Sequence, residues 1–163
     1  MSKARLFILA VLGILAALLV AYLGYGYSRY PSMPFKCTTF TVYDLSRDRQ
    51  ALVLRLSQDL RLQDRDSGYF LVKGYALSQG TTLVVNRMLN LKDGGPVDSD
   101  TFRYRISDIT KGPNDTLPDA LFDQWLSEII TRPGVFQIDV VEAPSGAWLI
   151  GSPVSFLFTC KTY

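Results

Sequence analysis

Residues 52–91 read LVLRLSQDLRLQDRDSGYFLVKGYALSQGTTLVVNRMLNL. Leu52, Leu54, Leu56, Leu60 and Leu62 keep one parity while Arg55 and Arg61 take the other. That period of two places apolar side chains on one face of a strand and charged ones on the opposite face. The polar run Asp64-Arg65-Asp66-Ser67-Gly68 turns the chain into a second strand, Tyr69 to Leu77, and Ser78-Gln79-Gly80-Thr81 returns it into Leu83, Val85, Leu89 and Leu91. Two hairpins in series describe an antiparallel meander.

Outward from this stretch the pattern continues in both directions. Upstream, Thr38, Phe40 and Val42 alternate with Cys37, Thr39 and Thr41. Downstream, Lys92 to Asp100 contains Asp-Gly-Gly-Pro and reads as a polar turn, after which Phe102, Tyr104 and Ile106 alternate with Arg103 and Arg105. The period then changes. Thr116-Leu117-Pro118-Asp119 reads as a helix start, with the threonine capping, proline in the first turn and an acid three residues after the cap. Leu121, Phe122, Trp125, Leu126, Ile129 and Ile130 form an apolar face at helical spacing, stopped by Pro133-Gly134. About four turns of helix are expected to cover a sheet face and bury Trp125. Phe136, Ile138 and Val140, the Pro144-Ser145-Gly146 turn, Trp148 to Ile150 and Val154 to Cys160 complete the strands. The expected class is α+β: an N-terminal transmembrane helix, then a mainly antiparallel β domain, a meander or partly closed barrel, with one covering α-helix.

From Leu6 to Leu23 the chain reads LFILAVLGILAALLVAYL, free of charge and proline. As a helix rising about 1.5 Å per residue it just spans the ~30 Å hydrocarbon layer. The competing reading is a cleaved signal peptide, but the one passable site, Gly24-Tyr25-Gly26, has a bulky ring between its small residues. Lys3 and Arg5 keep the short tail in the cytoplasm, with Arg29 and Lys36 weakening that bias from the other flank. The expected organisation is a cytoplasmic tail (1–5), an anchor (6–24), a spacer (25–35) stiffened by Pro31 and Pro34, and a periplasmic domain (36–163) of a bacterial inner-membrane protein. Tyr22, Tyr25, Tyr27 and Tyr30 read equally as an interfacial belt or as the start of the domain. Gly13, Ala17 and Ala21 recur every four residues as a small-residue stripe suited to helix–helix contact in a membrane.

The 163 residues allow one domain with its own core, and histidine is absent, which removes the commonest general base and zinc ligand. Of 17 basic residues two precede the apolar run, so the remainder balances the 15 acids, and a neutral domain lacks the basic excess of a nucleic-acid binder. Cys37 and Cys160, far apart in sequence and both in strands, are expected to form a disulfide in an oxidising space, since no third or fourth soft ligand accompanies them. The acids are mostly aspartates in turns. Asp64-x-Asp66-x-Gly68 opens like a calcium loop but lacks the later ligands and the closing glutamate, so turn chemistry accounts for it. Gly-rich phosphate loops, nucleophile elbows and Ser-x-x-Lys patterns are missing, which points away from an enzyme and from a cofactor.

The segments Thr116-Leu-Pro-Asp-Ala-Leu-Phe122, Trp148-Leu149-Ile150-Gly151-Ser152-Pro153 and Phe158-Thr159-Cys160 resemble the FidL-like family of small enterobacterial inner-membrane proteins, as does the layout of an N-terminal anchor followed by a domain with one early and one late cysteine. The resemblance implies an accessory that accompanies a ToxR-like membrane-bound transcription regulator, in the manner of ToxS, and protects or tunes its periplasmic part. A cytoplasmic tail of about five residues independently requires the work to be done outside or through another membrane protein. Phe122, Trp125, Trp148 and Phe158 are the candidates for core or partner-facing side chains. The alternative is a stand-alone envelope protein, binding a lipid or bile acid or assisting surface-structure assembly. An apolar small molecule shared with the regulator is a further expected partner.

Overall fold

The structure, a computed structural model, describes residues 3–27, 31–47, 51–143, 146–153 and 155–163. It divides into two compact units, Met1–Pro31 and Ser32–Tyr163.

The first unit holds α1 (Lys3–Tyr27), built from leucine, alanine, isoleucine and valine with no polar face. The described side chains of 7–23 are exposed, with Phe7 at 72% and Val20 at 70%. No helix among the described residues is long and apolar enough to cross a membrane. Tyr25 and Tyr27 belong to the helix backbone only. Tyr30 and the spacer residues 28–30 lie outside the described residues, as do Pro144 and Ser145 of the expected turn and Val154 at the start of the last expected strand.

In the second unit eight strands pair in chain order and the eighth returns to the first, closing an antiparallel barrel. They are β1 (Phe35–Asp44), β2 (Leu52–Leu62), β3 (Gly68–Ser78), β4 (Thr81–Pro96), β5 (Thr101–Lys111), β6 (Val135–Ala143), β7 (Ala147–Ser152) and β8 (Ser155–Thr162), with α2 (Asp119–Ile129) between β5 and β6. The meander expected from 52–91 forms with Leu52↔Ser78 through Leu62↔Gly68 and Gly68↔Leu91 through Ser78↔Thr81. Its second turn is Gln79-Gly80, φ 49° and 81°, the two positive-φ residues that a tight hairpin needs to match strand twist.

The leucines of β2 point inward, where Phe70 of β3 stacks on Phe136 of β6 (5.4 Å) and Phe158 of β8 (6.0 Å). Rings from three separate strands thus meet on the barrel axis. An apolar interior with charged residues such as Arg55, Lys73 and Arg103 outside is the inverse of the polar-in, apolar-out pattern of membrane barrels.

Four local expectations are corrected. β4 does not stop at Lys92: it continues to Pro96 through a bulge at Asp93-Gly94, which re-registers it on β5. Thr116 does not cap α2; its hydroxyl accepts from the Val84 N–H at 2.8 Å, and the cap position falls on Pro118 with no side-chain bond. The helix spans 11 residues, about three turns, because Ile130 turns to extended backbone well before Pro133. It also closes an end of the barrel rather than lying across a sheet face. Its N-terminal approach is bonded to β4 through Leu117 N–H to the Val84 carbonyl, and its buried Phe122, Trp125, Leu126 and Ile129 face the end where β1 finishes and β2 starts.

Candidate functional site

The barrel is least continuous where its ends meet. β1 and β2 pair from Phe35↔Leu62 to Asp44↔Val53, whereas among the described residues β1 and β8 pair only at Cys37↔Thr162 and Thr38↔Lys161. This seam is fastened at one end from both sides. Inside, Cys37 and Cys160 are joined, Cα atoms 5.5 Å apart across 123 residues of sequence, and the buried Phe35 ring packs edge-on against Trp148 at 5.1 Å. Outside, the Tyr163 hydroxyl donates to Asp59 at 2.8 Å and its ring lies under the Arg61 guanidinium (5.5 Å), which also covers Tyr69 and bonds Asp59 at 2.9 Å. Chain order places β1 between β8 and β2, so Tyr163, just past the end of the last strand, is fixed to the second strand across the first.

Beyond Thr38 the ladder stops, and the strand flanks there are apolar and exposed. Phe40 is 65% and Val42 55% exposed on the outer side of β1; Phe156 is 62% exposed on β8, with Leu149 and Val141 on the neighbouring strands. The alternation seen upstream in the sequence therefore resolves with Cys37 inside and Phe40 and Val42 outside. On the inner side of the same stretch Thr39, Thr41 and Tyr43 are half-buried. The buried Gln58 amide donates to the Tyr43 hydroxyl (2.9 Å), which donates back to the Gln58 Oε1 (3.3 Å). Burial pushes the Tyr43 hydroxyl above its ordinary pKa, against the opposing bond to Gln58. A strand edge with apolar outer flanks and a polar lining is chemically suited to pairing with another extended chain.

Below the seam the plug is held by a buried cation. Arg87 has the inward parity of Val85, Leu89 and Leu91 on β4 and is 2% exposed. Its guanidinium bonds Asp115 (3.1 and 3.3 Å), Asp119 (2.8 Å) and the Leu117 carbonyl, and its centre lies 4.4 Å from the Phe122 ring. Lys111 adds a 2.7 Å pair to Asp119 and, more than Arg87, holds that carboxyl below its usual range. One side chain thus binds the strand, the connecting loop and the helix start. A charged residue at an inward position between Val85 and Leu89 was the signal for it in the sequence.

Of the other candidates, Phe122, Trp125 and Phe158 are buried among aromatic partners, Trp125 lying edge-on to Tyr43 at 5.9 Å, and Trp148 is half-buried at the opposite end. The three buried rings face the interior of the barrel. Gly13, Ala17 and Ala21 are exposed on α1, and a Cβ at Gly13 would meet nothing within 4 Å. Among the described residues no group of three or more His, Cys, Asp or Glu side chains is placed to hold a metal ion.

Comparison with curated proteins and with solved structures returns no match. A family model described as "FidL-like putative membrane protein" matches residues 74–160, from the middle of β3 to the second cysteine and more than half of the chain. It covers β4 to β7 whole, the end of β3, β8 as far as Cys160 and the plug helix, and on that extent the chain belongs to the FidL-like family.

Proposed function

We propose that this protein is a non-enzymatic, membrane-anchored accessory whose barrel stands in the periplasm and binds and stabilises, or tunes, the extracytoplasmic part of a ToxR-like membrane-bound transcription regulator. The observation that carries the reading is the seam: two ladder positions between β1 and β8, then an edge flanked by exposed Phe40, Val42 and Phe156. An incoming strand there gains main-chain hydrogen bonds and buries apolar side chains that otherwise face water. The anchor is supported by α1, which is apolar all round and carries its leucines exposed, a surface that lipid accommodates and water does not. The disulfide fits an oxidising compartment. The interior weighs against a stand-alone lipid or bile-acid binder, because Phe70, Phe136 and Phe158 already fill the axis.

Deleting residues 28–163 in the native host tests the reading. It is expected to lower the abundance of the partner regulator or the transcription of its targets; if neither changes, the accessory role fails and a role in envelope assembly takes its place.

A further inference from the structure

The register of β2, β3 and β4 assembles a second exposed surface. Tyr75 lies opposite Arg55 on one side and Val84 on the other, and Leu77 lies opposite Val53 and Thr82. All six have the parity opposite to the inward Leu54, Ala76 and Val85, so they share the outer face of the barrel. Tyr75 is 59% and Leu77 47% exposed. Tyr75 is also a common wall of two hollows in this face. One, of about 440 Å³, is lined by Val53, Arg55, Tyr75, Leu77 and Thr82. The other, of about 240 Å³, has Lys73, Val84, Asn86 and Asn114 around the ring, and the Asn86 amide donates to Asn114 Oδ1 at 2.6 Å, which fixes its polar side.

The same surface carries unmatched charge. Arg55 borders the larger hollow and Lys73 the smaller; both are exposed, and neither has an ion-pair partner among the described residues. The acids of the neighbouring outer positions are already engaged. Asp59 is held by Arg61 and by the Tyr163 hydroxyl, and Asp44 accepts from the Ser46 N–H. An exposed tyrosine beside an arginine, with apolar side chains around a hollow, is the composition of an interface centre. Both hollows open onto the wall of the sheet, so they suit side chains of a segment laid across the strands better than a small molecule, which needs enclosure. Two cations are also too few for the many phosphate contacts of a nucleic acid.

We propose that this face docks an acidic, amphipathic peptide segment of another protein. An aliphatic or aromatic side chain of the segment enters the larger hollow against Tyr75 and Leu77, and its carboxylates meet Arg55 and Lys73. Charge complementarity selects the acid: the face offers two cations and has no carboxylate of its own left to answer them. The spacing agrees. Arg55 and Lys73 are diagonal neighbours across β2 and β3, about 7–8 Å apart at their origins. Side chains two residues apart on an extended peptide are separated by roughly 6–7 Å, within reach of both. The inference does not rest on the regulator reading, because it uses β2 to β4 and not the seam.

The test holds the full chain in phosphatidylcholine discs and selects binders from a random peptide display library; a selected peptide is then synthesised and its affinity measured. Selected peptides are expected to carry an aliphatic or aromatic residue close to Asp or Glu. Arg55→Glu with Lys73→Glu, and Tyr75→Ala alone, should each weaken binding by about tenfold or more while the melting temperature holds, since all three side chains are exposed. Replacing the peptide's acids by lysine should restore binding to the charge-reversed variant, which a merely structural role of Arg55 and Lys73 would not do. Phe156→Glu, at the seam, should change nothing. Peptides selected without acids, binding indifferent to the charge reversal and to Tyr75→Ala, or failure of the lysine peptide to restore it overturns the proposal. Loss of binding through Phe156→Glu overturns it too, by placing the peptide at the seam. So does an empty selection, and protection of Lys73 from acylation in discs containing phosphatidylglycerol would then mark the face as a lipid contact.

Discussion

Arg87 and Asp115 form an ion pair inside the mouth of the barrel, 3.1 Å apart with side chains 2% and 1% exposed. The pair lies where β4 passes under the loop to α2, so it determines whether the helix stays seated.

Removing one member leaves the other charge buried and unpaired. Asp115→Leu alone, like Arg87→Met alone, is expected to cost about 3–5 kcal/mol, whereas the double variant Arg87→Met, Asp115→Leu should recover much of that loss. Urea unfolding of the four members of the cycle measures it; a fully additive cycle would show that the pair is not coupled.

Acid should loosen the same plug. The Asp119 carboxyl is held below its ordinary value by Lys111 and then Arg87, so the native state binds its proton less readily than the unfolded chain. That stabilisation is fully present above the unfolded value of about 3.9 and fades as pH falls through the lower folded value. Asp119→Asn should flatten the decline of melting temperature below about pH 4, and an unchanged profile would remove Asp119 from the cause.

The disulfide ties the first strand of the barrel to the last. Cys37→Ser with Cys160→Ser should lose about 4–5 kcal/mol in the chain-entropy picture, and a mass-adding thiol reagent should shift the wild type only after reduction. Alkylation of freshly lysed cells without reductant would show free thiols and defeat the assignment.

Phe40→Glu with Val42→Glu alters only the outer, exposed side of β1 and should leave stability within about 0.5 kcal/mol per site. Co-purification with the regulator should fall by about tenfold or more while the melting temperature holds. Retained association would locate the contact elsewhere on the barrel.

For the anchor, full-length protein should sediment with membranes and need detergent for release, and a chain lacking 1–31 should not. Alkaline phosphatase fused after Tyr163 should be active in the native host. An inactive fusion that fluoresces with a cytoplasmic reporter would reverse the orientation.

Much of the β domain was legible because its information is local. The parity of Leu52 to Leu62, the Gln79-Gly80 turn and the helical spacing of Phe122, Trp125 and Ile129 each act within a few residues, where backbone geometry alone decides which side chains share a face. The family resemblance rested on equally local segments at 116–122 and 148–160, inside the matched range.

What depended on distant partners was not legible. Thr38, Phe40 and Val42 offer as good an apolar face as Cys37, Thr39 and Thr41, and only the disulfide and the inward packing of Phe35 turn that strand the other way. Thr116 had the chemistry of a cap but was taken by Val84 on another strand. The sequence by itself determined the apolar first helix, the strand order of the meander and the existence of one amphipathic helix, since these follow from period and turn chemistry. Only the tertiary structure decided that the sheet closes, that the helix plugs its end through Arg87 and that the closure is nearly unpaired beyond Thr38, because each depends on where β1 and β8, about 120 residues apart, come to lie beside one another.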